Sequence, residues 1–299
     1  MLSTNDLRKI AARSGARDIG NVEIDVILTY LLQLFSERGL SEHLAFKGGT
    51  MLRKMVFGPR GRLSTDLDFT RRTDISLDDL MMMMLKALNE PYQGLSFHYE
   101  KDKDWYLTDD GCAANPVCRH ADNDRGVKIK LQVSTRERPI LPVSAQPQLD
   151  QDYFRLLPFR PADIPSLALN EVIAEKIRAA SQRSKIRDLH DLSEIGTRAL
   201  DKDTIRPLAA LKLWNSRGPG LDYAALRARI ERGDDYDIDD LKNLLRKDEQ
   251  PDLKAMIDRT VNAFQFLANL TETEKIIAAD RAGQKQADAD ALIATLARN

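Results

Sequence analysis

The sequence predicts an α+β protein in which a sheet with flanking helices is followed by a bundle of helices. Two segments, 64–69 and 127–134, alternate apolar and polar residues as half-buried strands do. Six of the twelve prolines lie between Pro139 and Pro165 inclusive, a density that favours neither helix nor regular sheet. From Ser166 the apolar residues recur at helical spacing. These observations predict an N-terminal domain over 1–138, a proline-rich linker over 139–165 and a C-terminal helical domain over 166–299.

The composition is that of an ordinary soluble protein, and it bears on whether nucleic acid or a membrane is a partner. Of the 299 residues 30% are charged and 42% apolar, and the net charge of −1 gives no global signal for nucleic acid. The two cysteines, Cys112 and Cys118, cannot form a disulfide framework and fit a reducing cytosol. No leader pattern opens the chain, and no apolar run approaches the roughly 18 residues of a membrane span. We therefore expect a cytoplasmic protein with no membrane partner.

The first forty residues predict two helices. Residues 1–20 are polar and fit a short helix with a glycine turn. Apolar residues then recur at three- and four-residue spacing as far as Phe35, which predicts an amphipathic helix with Asn21 as N-cap and Gly39 as C-cap. This helix is expected to pack against the sheet. A short strand over 44–46 is expected after it.

A glycine pair, Gly48-Gly49, follows that strand and precedes Thr50 and a run from Met51 to Phe57 that fits two helical turns. Glycines let main-chain amides approach an anion without a Cβ in the way. The unpaired amides at the start of a helix favour phosphate. The pair therefore predicts a phosphate-binding turn, to which Thr50 adds a hydroxyl.

An acid pair on a strand comes next, in the sequence STDLDF from Ser64 to Phe69. Residues two apart on a strand share a face, so Asp66 and Asp68 point the same way while Leu67 points into the core. Two carboxylates on one face need a cation between them, and Mg²⁺ takes such ligands together with substrate phosphates. An isolated pair of this kind is more often a strand end beside a loop, but the glycine turn upstream favours a metal site.

The rest of the N-terminal half is predicted as one helix and three strands. Ser76 caps a helix that reaches Leu88, and its methionines at 81–84 are expected to fill the core. The expected strands are 95–99 and 105–107, joined by a charged turn at 101–104, and 127–134, which follows a loop over 111–126. The last strand is expected beside the acid pair, with Lys128, Lys130, Gln132 and Ser134 on its outer face.

The C-terminal half is predicted to be helical. The expected ranges are 166–184, capped by Ser166, then 188–195, 204–213, 223–230, 238–245, 253–267 and 271–296, the last interrupted at Gly283. Lys176 leaves the first of these helices from a flank of small and apolar residues, where an ammonium needs an anion or an open cleft. A lysine that extends to the surface is the alternative.

These motifs, taken in order, resemble a known enzyme superfamily. The KGGT turn followed by STDLDF resembles the nucleotidyltransferase fold of the DNA polymerase β superfamily. More narrowly, it resembles the AbiEii/AbiGii (MenT-like) toxins of bacterial toxin–antitoxin and abortive-infection systems. Asn170-Glu171, Glu175-Lys176-Ile177 and the run RDLHDL from Arg187 to Leu192 resemble later motifs of that family. The resemblance implies a polymerase β-like mixed sheet followed by a helical lobe.

The resemblance also implies a function. A toxin of this family would transfer nucleotides from an NTP to the 3′ end of tRNA, and so block translation in phage defence. The implied cofactor is Mg²⁺ or Mn²⁺, and the implied partners are the NTP, tRNA and a cognate antitoxin protein. Two alternatives remain: transfer of a nucleotidyl or phosphoryl group to a protein side chain, and a non-catalytic NTP-binding regulatory module.

The site residues that the resemblance implies form two groups. The expected catalytic residues are Asp66, Asp68, Lys176 and Asp188, of which Asp66 and Asp68 would bind the metal. The expected nucleotide-binding residues are Lys47, Gly48, Gly49, Thr50, Arg53 and Ser64. Enzymes of this superfamily usually carry a third acid on a neighbouring strand, whereas the outer face of 127–134 has no carboxylate. Gln132 and Asp188 are the candidates to replace it.

Two of these residues also have purely structural interpretations. Asp188 follows an arginine and fits either a helix N-cap or a salt bridge with Arg187 or Arg183. Ser64 fits a turn-forming hydroxyl as well as it fits a place beside the acid pair. Neither structural interpretation affects the prediction that Asp66 and Asp68 bind a metal ion.

Basic and metal-binding patterns give weaker predictions. The segments 43–65 and 176–187 are rich in lysine and arginine and contain no acid. They predict a positive funnel for nucleotide and RNA if they flank one cleft, and otherwise solvated helix faces. Cys112, Cys118 and His120 lack the fourth partner and the spacing of a zinc site, so ordinary loop residues are expected there.

Overall fold

A computed structural model describes residues 1–297, and their contacts divide the chain into two compact units. The first comprises Met1–Pro139, Val143–Ser166 and Asn243–Glu249. The second comprises Ile140–Pro142, Leu167–Lys242 and the chain from Gln250 onward. Arg298 and Asn299, at the end of the predicted helical domain, lie outside the described residues. We propose that the two units correspond to the two predicted domains.

The described part of the first unit contains two β-sheets. Its strands in chain order are β1 Leu44–Lys47, β2 Asp66–Arg71, β3 Ser96–His98, β4 Trp105–Thr108, β5 Gly111–Ala114, β6 Val117–His120, β7 Asn123–Lys128, β8 Lys130–Ser134, β9 Ser144–Gln146 and β10 Ile164–Ser166. The larger sheet has the order β4-β5-β8-β2-β1-β10-β9, and the smaller has the order β3-β6-β7. Pairs β2–β8 and β1–β10 are parallel, whereas β1–β2 and β5–β8 are antiparallel. The predicted mixed sheet is confirmed, and β2 lies at its centre.

Helices flank these sheets. They are α1 Thr4–Ser14, α2 Ile19–Glu37, α3 Gly48–Met51, α4 Leu77–Asn89 and α5 Lys101–Asp104. A π-helical segment, Leu52–Phe57, follows α3 directly. The predicted cap of α4 is confirmed, because the Ser76 hydroxyl oxygen accepts a hydrogen bond from the Asp79 N–H at 3.0 Å. Its methionines fill the core only in part, since Met84 is buried but Met82 is 52% exposed.

Helix α2 runs through the core of the first unit, where residues 25–35 are all buried. It begins before the predicted position because the side chain of Asp18, and not that of Asn21, accepts the capping bond, from the Gly20 N–H at 2.8 Å. By length and composition α2 is one helix that could cross a membrane, since it has 19 residues and an 18-residue window with a mean hydropathy of 1.3. However, 61% of this stretch is buried inside the protein, which is typical of a core helix.

The region from 95 to 134 folds differently from its prediction. Strands β3 and β4 lie in different sheets, so they do not form the predicted hairpin. The predicted loop over 111–126 contains β5, β6 and most of β7. The predicted single strand over 127–134 is divided at Ile129, which is buried and whose N–H donates to Pro116 O at 2.9 Å. Local composition misled the prediction because these short strands are stabilised by partners in two separate sheets.

The proline-rich segment also contains regular structure. Strands β9 and β10 lie within or at the end of it and join the larger sheet, so the expectation that this segment contains no regular sheet is wrong. Each strand has three residues, and among the six prolines only Pro165 lies inside one. Because alternate N–H groups of a strand point to opposite sides, a single proline removes few ladder bonds.

The second unit is helical in its described part, as predicted. Its helices are α6 Leu169–Gln182, α7 Ile186–Ile195, α8 Lys202–Asn215, α9 Tyr223–Ile230, α10 Asp239–Lys242, α11 Leu253–Phe264, α12 Glu272–Ala279 and α13 Gln286–Leu296. Ser166 does not cap α6, because it belongs to β10 and α6 begins after Ala168. The predicted interruption at Gly283 is confirmed, since this residue lies between α12 and α13 with a φ of +67°.

Candidate active site

The acid pair lies on the central strand of the larger sheet. Asp66 and Asp68 are half-buried on β2 and alternate with Leu67 and Phe69, which are buried. The strand therefore presents both carboxylates on one face and packs its apolar residues on the other, as the alternation predicted.

The glycine turn is in direct contact with this pair. Gly48 begins α3 immediately after β1 and has a φ of +80°, a conformation that disfavours residues with a Cβ. A Cβ added to Gly48 would overlap the carboxylate of Asp68. The glycine is therefore required twice, once by its backbone conformation and once by the close approach of Asp68. The two predicted motifs, remote from each other along the chain, meet at this point.

Two hydroxyl groups hold the acid strand in place. Thr50 Oγ1 donates to the backbone carbonyl of Asp66 at 2.5 Å, so this hydroxyl ties the turn to β2. Ser64 Oγ donates to Asp66 Oδ1 at 3.3 Å and so restricts the rotation of that carboxylate. Lys47 ends β1 directly opposite Asp68 and is largely buried. All three residues therefore lie around the acid pair.

Strand β8, next to the acid pair, has the amide side chain of Gln132 at the position where a third carboxylate was expected. Gln132 on β8 is the register partner of Asp68, and Lys130 is the partner of Asp66. Ala113 on β5 lies on the far side of Gln132. The predicted position of β8 beside the acid strand is confirmed. Among these register partners on β2, β8 and β5, only Asp66 and Asp68 have carboxylates. Among the described residues no group of three or more His, Cys, Asp or Glu side chains is placed to hold a metal ion.

Two basic residues of the segment 43–65 point into the protein interior. Lys54 is fully buried, and its ammonium donates to Asp25 Oδ1 at 2.8 Å, Thr29 Oγ1 at 2.9 Å and Tyr153 OH at 2.6 Å. Arg53 is also buried and donates to the backbone carbonyls of Gly58 and Gly61. These two cations stabilise the interior of the unit, so neither the funnel nor the solvated helix face describes them. Asp25 carries no signal in the sequence beyond a polar residue within an apolar helix.

The cysteines and His120 do not form a zinc site. Cys112 lies on β5 and Cys118 on β6, in different sheets, and both thiols are buried. Burial raises the pKa of Cys112 to about 11. His120 Nε2 instead lies 2.8 Å from Glu23 Oε1 on α2. These residues lie on strands, so the expectation of a loop there is wrong.

A second ionic cluster lies between α6 and α7 of the second unit. Lys176 Nζ lies 2.9 Å from Asp188 Oδ1 and 2.7 Å from Asp191 Oδ2, and Arg183 Nε lies 2.9 Å from Asp188 Oδ2. The salt bridge between Asp188 and Arg183 is thus confirmed. The N-cap of α7 is Lys185, so the capping interpretation of Asp188 is wrong. Asp191 was not among the predicted residues, although its position one helical turn after Asp188 was a usable signal.

This cluster predicts how the stability of the protein depends on pH. Burial would raise the pKa of Asp188, but Lys176 and Arg183 outweigh it and hold the pKa below the ordinary value of 3.8. The unfolded state therefore binds the proton first as the pH falls. We expect the contribution of Asp188 to the free energy of unfolding to be complete above about pH 5 and to be lost as the pH falls through its folded pKa.

Urea unfolding of wild type and of Asp188→Asn across pH 2.5 to 7 measures this dependence. The variant should lose stability at neutral pH and show a weaker acid slope than wild type. Asp258→Asn is the matched control, because Asp258 is an exposed aspartate on α11 of the same unit. Equal acid slopes for wild type and Asp188→Asn would contradict the prediction.

A buried ion pair in the same unit was not predicted. Glu171 and Lys212 are both almost fully buried and approach to 2.6 Å. The Glu171 carboxylate also accepts hydrogen bonds from the backbone N–H groups of Ile140 and Leu141, each at 2.9 Å. This pair anchors residues 140–142 to the helix that carries Lys176. The only signal for Glu171 in the sequence is the resemblance of Asn170-Glu171 to a family motif.

Comparison with known proteins identifies the family. The family described as "Nucleotidyl transferase AbiEii toxin, Type IV TA system" matches residues 29–282. The chain belongs to this family. It is therefore a nucleotidyltransferase toxin of a type IV toxin–antitoxin system, which implies an NTP substrate and an antitoxin partner. Membership makes this AbiEii-family chain an enzyme, in contrast to the alternative of a non-catalytic module.

Solved structures show the same fold. The nucleotidyltransferase toxin MenT4 of Mycobacterium tuberculosis H37Rv matches with a TM-score of 0.83 and 23% identity, over 99% of this chain and 100% of that one. A putative nucleotidyltransferase from H. pylori matches with a TM-score of 0.50 and 19% identity, over 81% of this chain and 94% of that one. A search of curated proteins finds no match.

Proposed function

We propose that this AbiEii-family enzyme transfers nucleotides from an NTP to the 3′ end of tRNA in a reaction that depends on Mg²⁺ or Mn²⁺. The observation that carries the proposal is the contact between Gly48 and the carboxylate of Asp68. This contact joins a turn suited to phosphate with an acid suited to a cation, and a bound triphosphate needs both. Nucleotides added to tRNA would prevent aminoacylation in the cytoplasm and so account for toxicity.

The acid pair fits a divalent cation. Asp66 and Asp68 share one face of β2, and Gln132 adds a neutral amide oxygen beside Asp68. Mg²⁺ is commonly held by one or two carboxylates together with substrate phosphates, so a third acid is not required. A bound cation would polarise the α-phosphate and neutralise charge on the departing pyrophosphate.

Residues around the pair would bind and orient the nucleotide. The amides of Gly48 and Gly49 and the ammonium of Lys47 would hold the triphosphate, while Ser64 orients the Asp66 carboxylate. Thr50 would fix the turn against β2 through the bond that it donates to the Asp66 carbonyl. In this proposal Arg53 holds the loop at 58–61, because its Nη1 donates to the carbonyls of Gly58 and Gly61.

Lys176 and Asp188 are further proposed catalytic residues through their place in the family motifs. The ammonium of Lys176 would contact nucleotide phosphate, and Asp188 would orient that ammonium. A nucleotide phosphate would then compete with Asp191 for the same ammonium. Two aspartates around one lysine offset the cost of its largely buried position.

A labelling experiment tests the function. Purified protein is incubated with each α-labelled NTP, Mg²⁺ and total tRNA, and the products are separated by size. We expect label on tRNA with at least one NTP, and loss of label when the cation is chelated. Label on protein would instead support transfer to a side chain, which is the second candidate, and label on neither with all four NTPs would contradict both.

A further inference from the structure

Arg62 is buried against the glycine turn. A Cβ added to Gly49 would lie 2.5 Å from Arg62 Nη2, 3.4 Å from Arg62 Cζ and 3.5 Å from Ser64 Oγ. The guanidinium therefore packs on the main chain of Gly49, and a side chain at this position would displace it. Arg62 is only 5% exposed, so its charged group is fixed within the unit.

The two glycines thus adjoin side chains of opposite charge. Gly48 adjoins the carboxylate of Asp68, and Gly49 adjoins the guanidinium of Arg62. A triphosphate bound along this turn would meet a cation-binding acid at one residue and a direct positive charge at the next. A guanidinium presents a planar fork of donors that matches phosphate oxygens in pairs, which a lysine cannot do.

We propose that Arg62 is a nucleotide-binding residue that contacts the triphosphate of the NTP, which deepens the proposed function and rests on it. Arg62 Nη1 donates to Leu63 O at 3.2 Å, a long bond that uses one of the five guanidinium donors. Arg62 has other interactions as well, and phosphate oxygens would share or replace some of them.

Apart from Lys47, which directly precedes the turn, the other cations of the segment do not have this placement. Arg53 and Lys54 are held by carbonyls, Asp25 and Tyr153 in the interior. Arg60 lies two residues before Arg62 in the same loop but is exposed. It therefore provides a control with the same side chain and the same change of charge.

The test compares wild type with Arg62→Gln, Arg62→Lys and Arg60→Gln in the full chain. We expect Arg62→Gln to raise the KM for NTP by roughly 10- to 100-fold, as for a lost charge-assisted hydrogen bond. Arg62→Lys should give an intermediate increase, because it keeps the charge but loses the fork. Arg60→Gln should stay within about twofold of wild type, since surface charges contribute little. If Arg62→Gln does not fold, the KM of Arg62→Lys for NTP tests the proposal in its place.

Binding of inorganic triphosphate gives a second readout. A ligand that binds only the folded state raises the melting temperature, so the rise with triphosphate and Mg²⁺ measures phosphate binding without turnover. We expect this rise in wild type and Arg60→Gln and a much smaller one in Arg62→Gln. A variant with a lower melting temperature but an unchanged KM and an unchanged triphosphate response would overturn the proposal, because Arg62 would then have only a structural role.

The two proposals can fail separately. If wild type labels no acceptor but is stabilised by triphosphate, the transfer proposal fails and the response of Arg62→Gln still decides the role of Arg62. If wild type labels tRNA and Arg62→Gln keeps the wild-type KM, the proposed function stands and the inference about Arg62 is wrong.

Discussion

Asp68→Asn is expected to reduce nucleotidyl transfer by roughly 1,000-fold or more, because a bound cation supplies several kcal/mol of transition-state stabilisation and each 1.4 kcal/mol is tenfold in rate. The carboxamide keeps the shape of the side chain but removes the charge that would hold the cation. Asp66→Asn should behave similarly, since both carboxylates share one face of β2. The measurement is the initial rate of transfer at saturating NTP.

The control for this prediction is Asp78→Asn. Asp78 is an exposed aspartate in the first turn of α4, so the same change of charge there should leave the rate within about twofold. Circular dichroism and the melting temperature should show that Asp68→Asn remains folded. Transfer by folded Asp68→Asn within tenfold of the wild-type rate would exclude the acid pair as the site of metal-assisted catalysis.

Asp25→Asn is expected to lower the free energy of unfolding by about 3–5 kcal/mol, the usual cost of removing one partner from a buried ion pair. The Asp25 carboxylate binds the ammonium of Lys54 and accepts a hydrogen bond from Tyr153 at 2.9 Å. If Asp25 loses its charge, the hydrogen-bond partners of the buried Lys54 ammonium are all neutral. The nearby Arg53 also repels this ammonium. Urea unfolding at neutral pH measures the loss.

The same variant should respond to pH in a defined direction. Burial lowers the pKa of Lys54 to about 8, although the carboxylate of Asp25 opposes this shift. Without that carboxylate the pKa of Lys54 in the folded state should fall further. At every pH between that folded pKa and the ordinary value of 10.5, the unfolded state then binds more protons than the folded state. Stability of Asp25→Asn should therefore rise with pH, and its deficit should be larger at pH 6 than at pH 9.

A double variant provides the control. Asp25→Leu combined with Lys54→Met removes both charges, so it should cost much less than the single Asp25→Asn change. Additive losses in the double variant would show that the two residues are not coupled. Because Lys54 lies in the π-helical segment that follows the glycine turn, the single variant should also lower the transfer rate, whereas the double variant should recover part of it.

Much of the candidate site could be predicted because its signals are local. The alternation from Ser64 to Phe69 determines which side chains of β2 share a face, and the glycine pair determines where a tight turn can form. The same alternation placed Gln132 on the outer face of β8 and showed that the neighbouring strand has no acid. These inferences depend on spacing over a few residues, which a single sequence records directly.

Other features depend on contacts that no local pattern encodes. Asp25 bonds Lys54 across 29 positions and Tyr153 across 128, and the strands within 111–126 are stabilised by neighbours in two sheets. Arg62 was one of five basic residues in its segment, and only the packing distinguished it from exposed Arg60. Backbone conformation and burial, and not residue type, made that distinction.

The sequence by itself determined the α+β class, the acid strand, the glycine turn and the family motifs, because these follow from periodicity and from residue chemistry at short spacing. The tertiary structure alone decided which charges are buried together and which lie beside the turn. The physical reason is that the cost of burying a charge depends on its partners in space, and those partners come from distant parts of the chain.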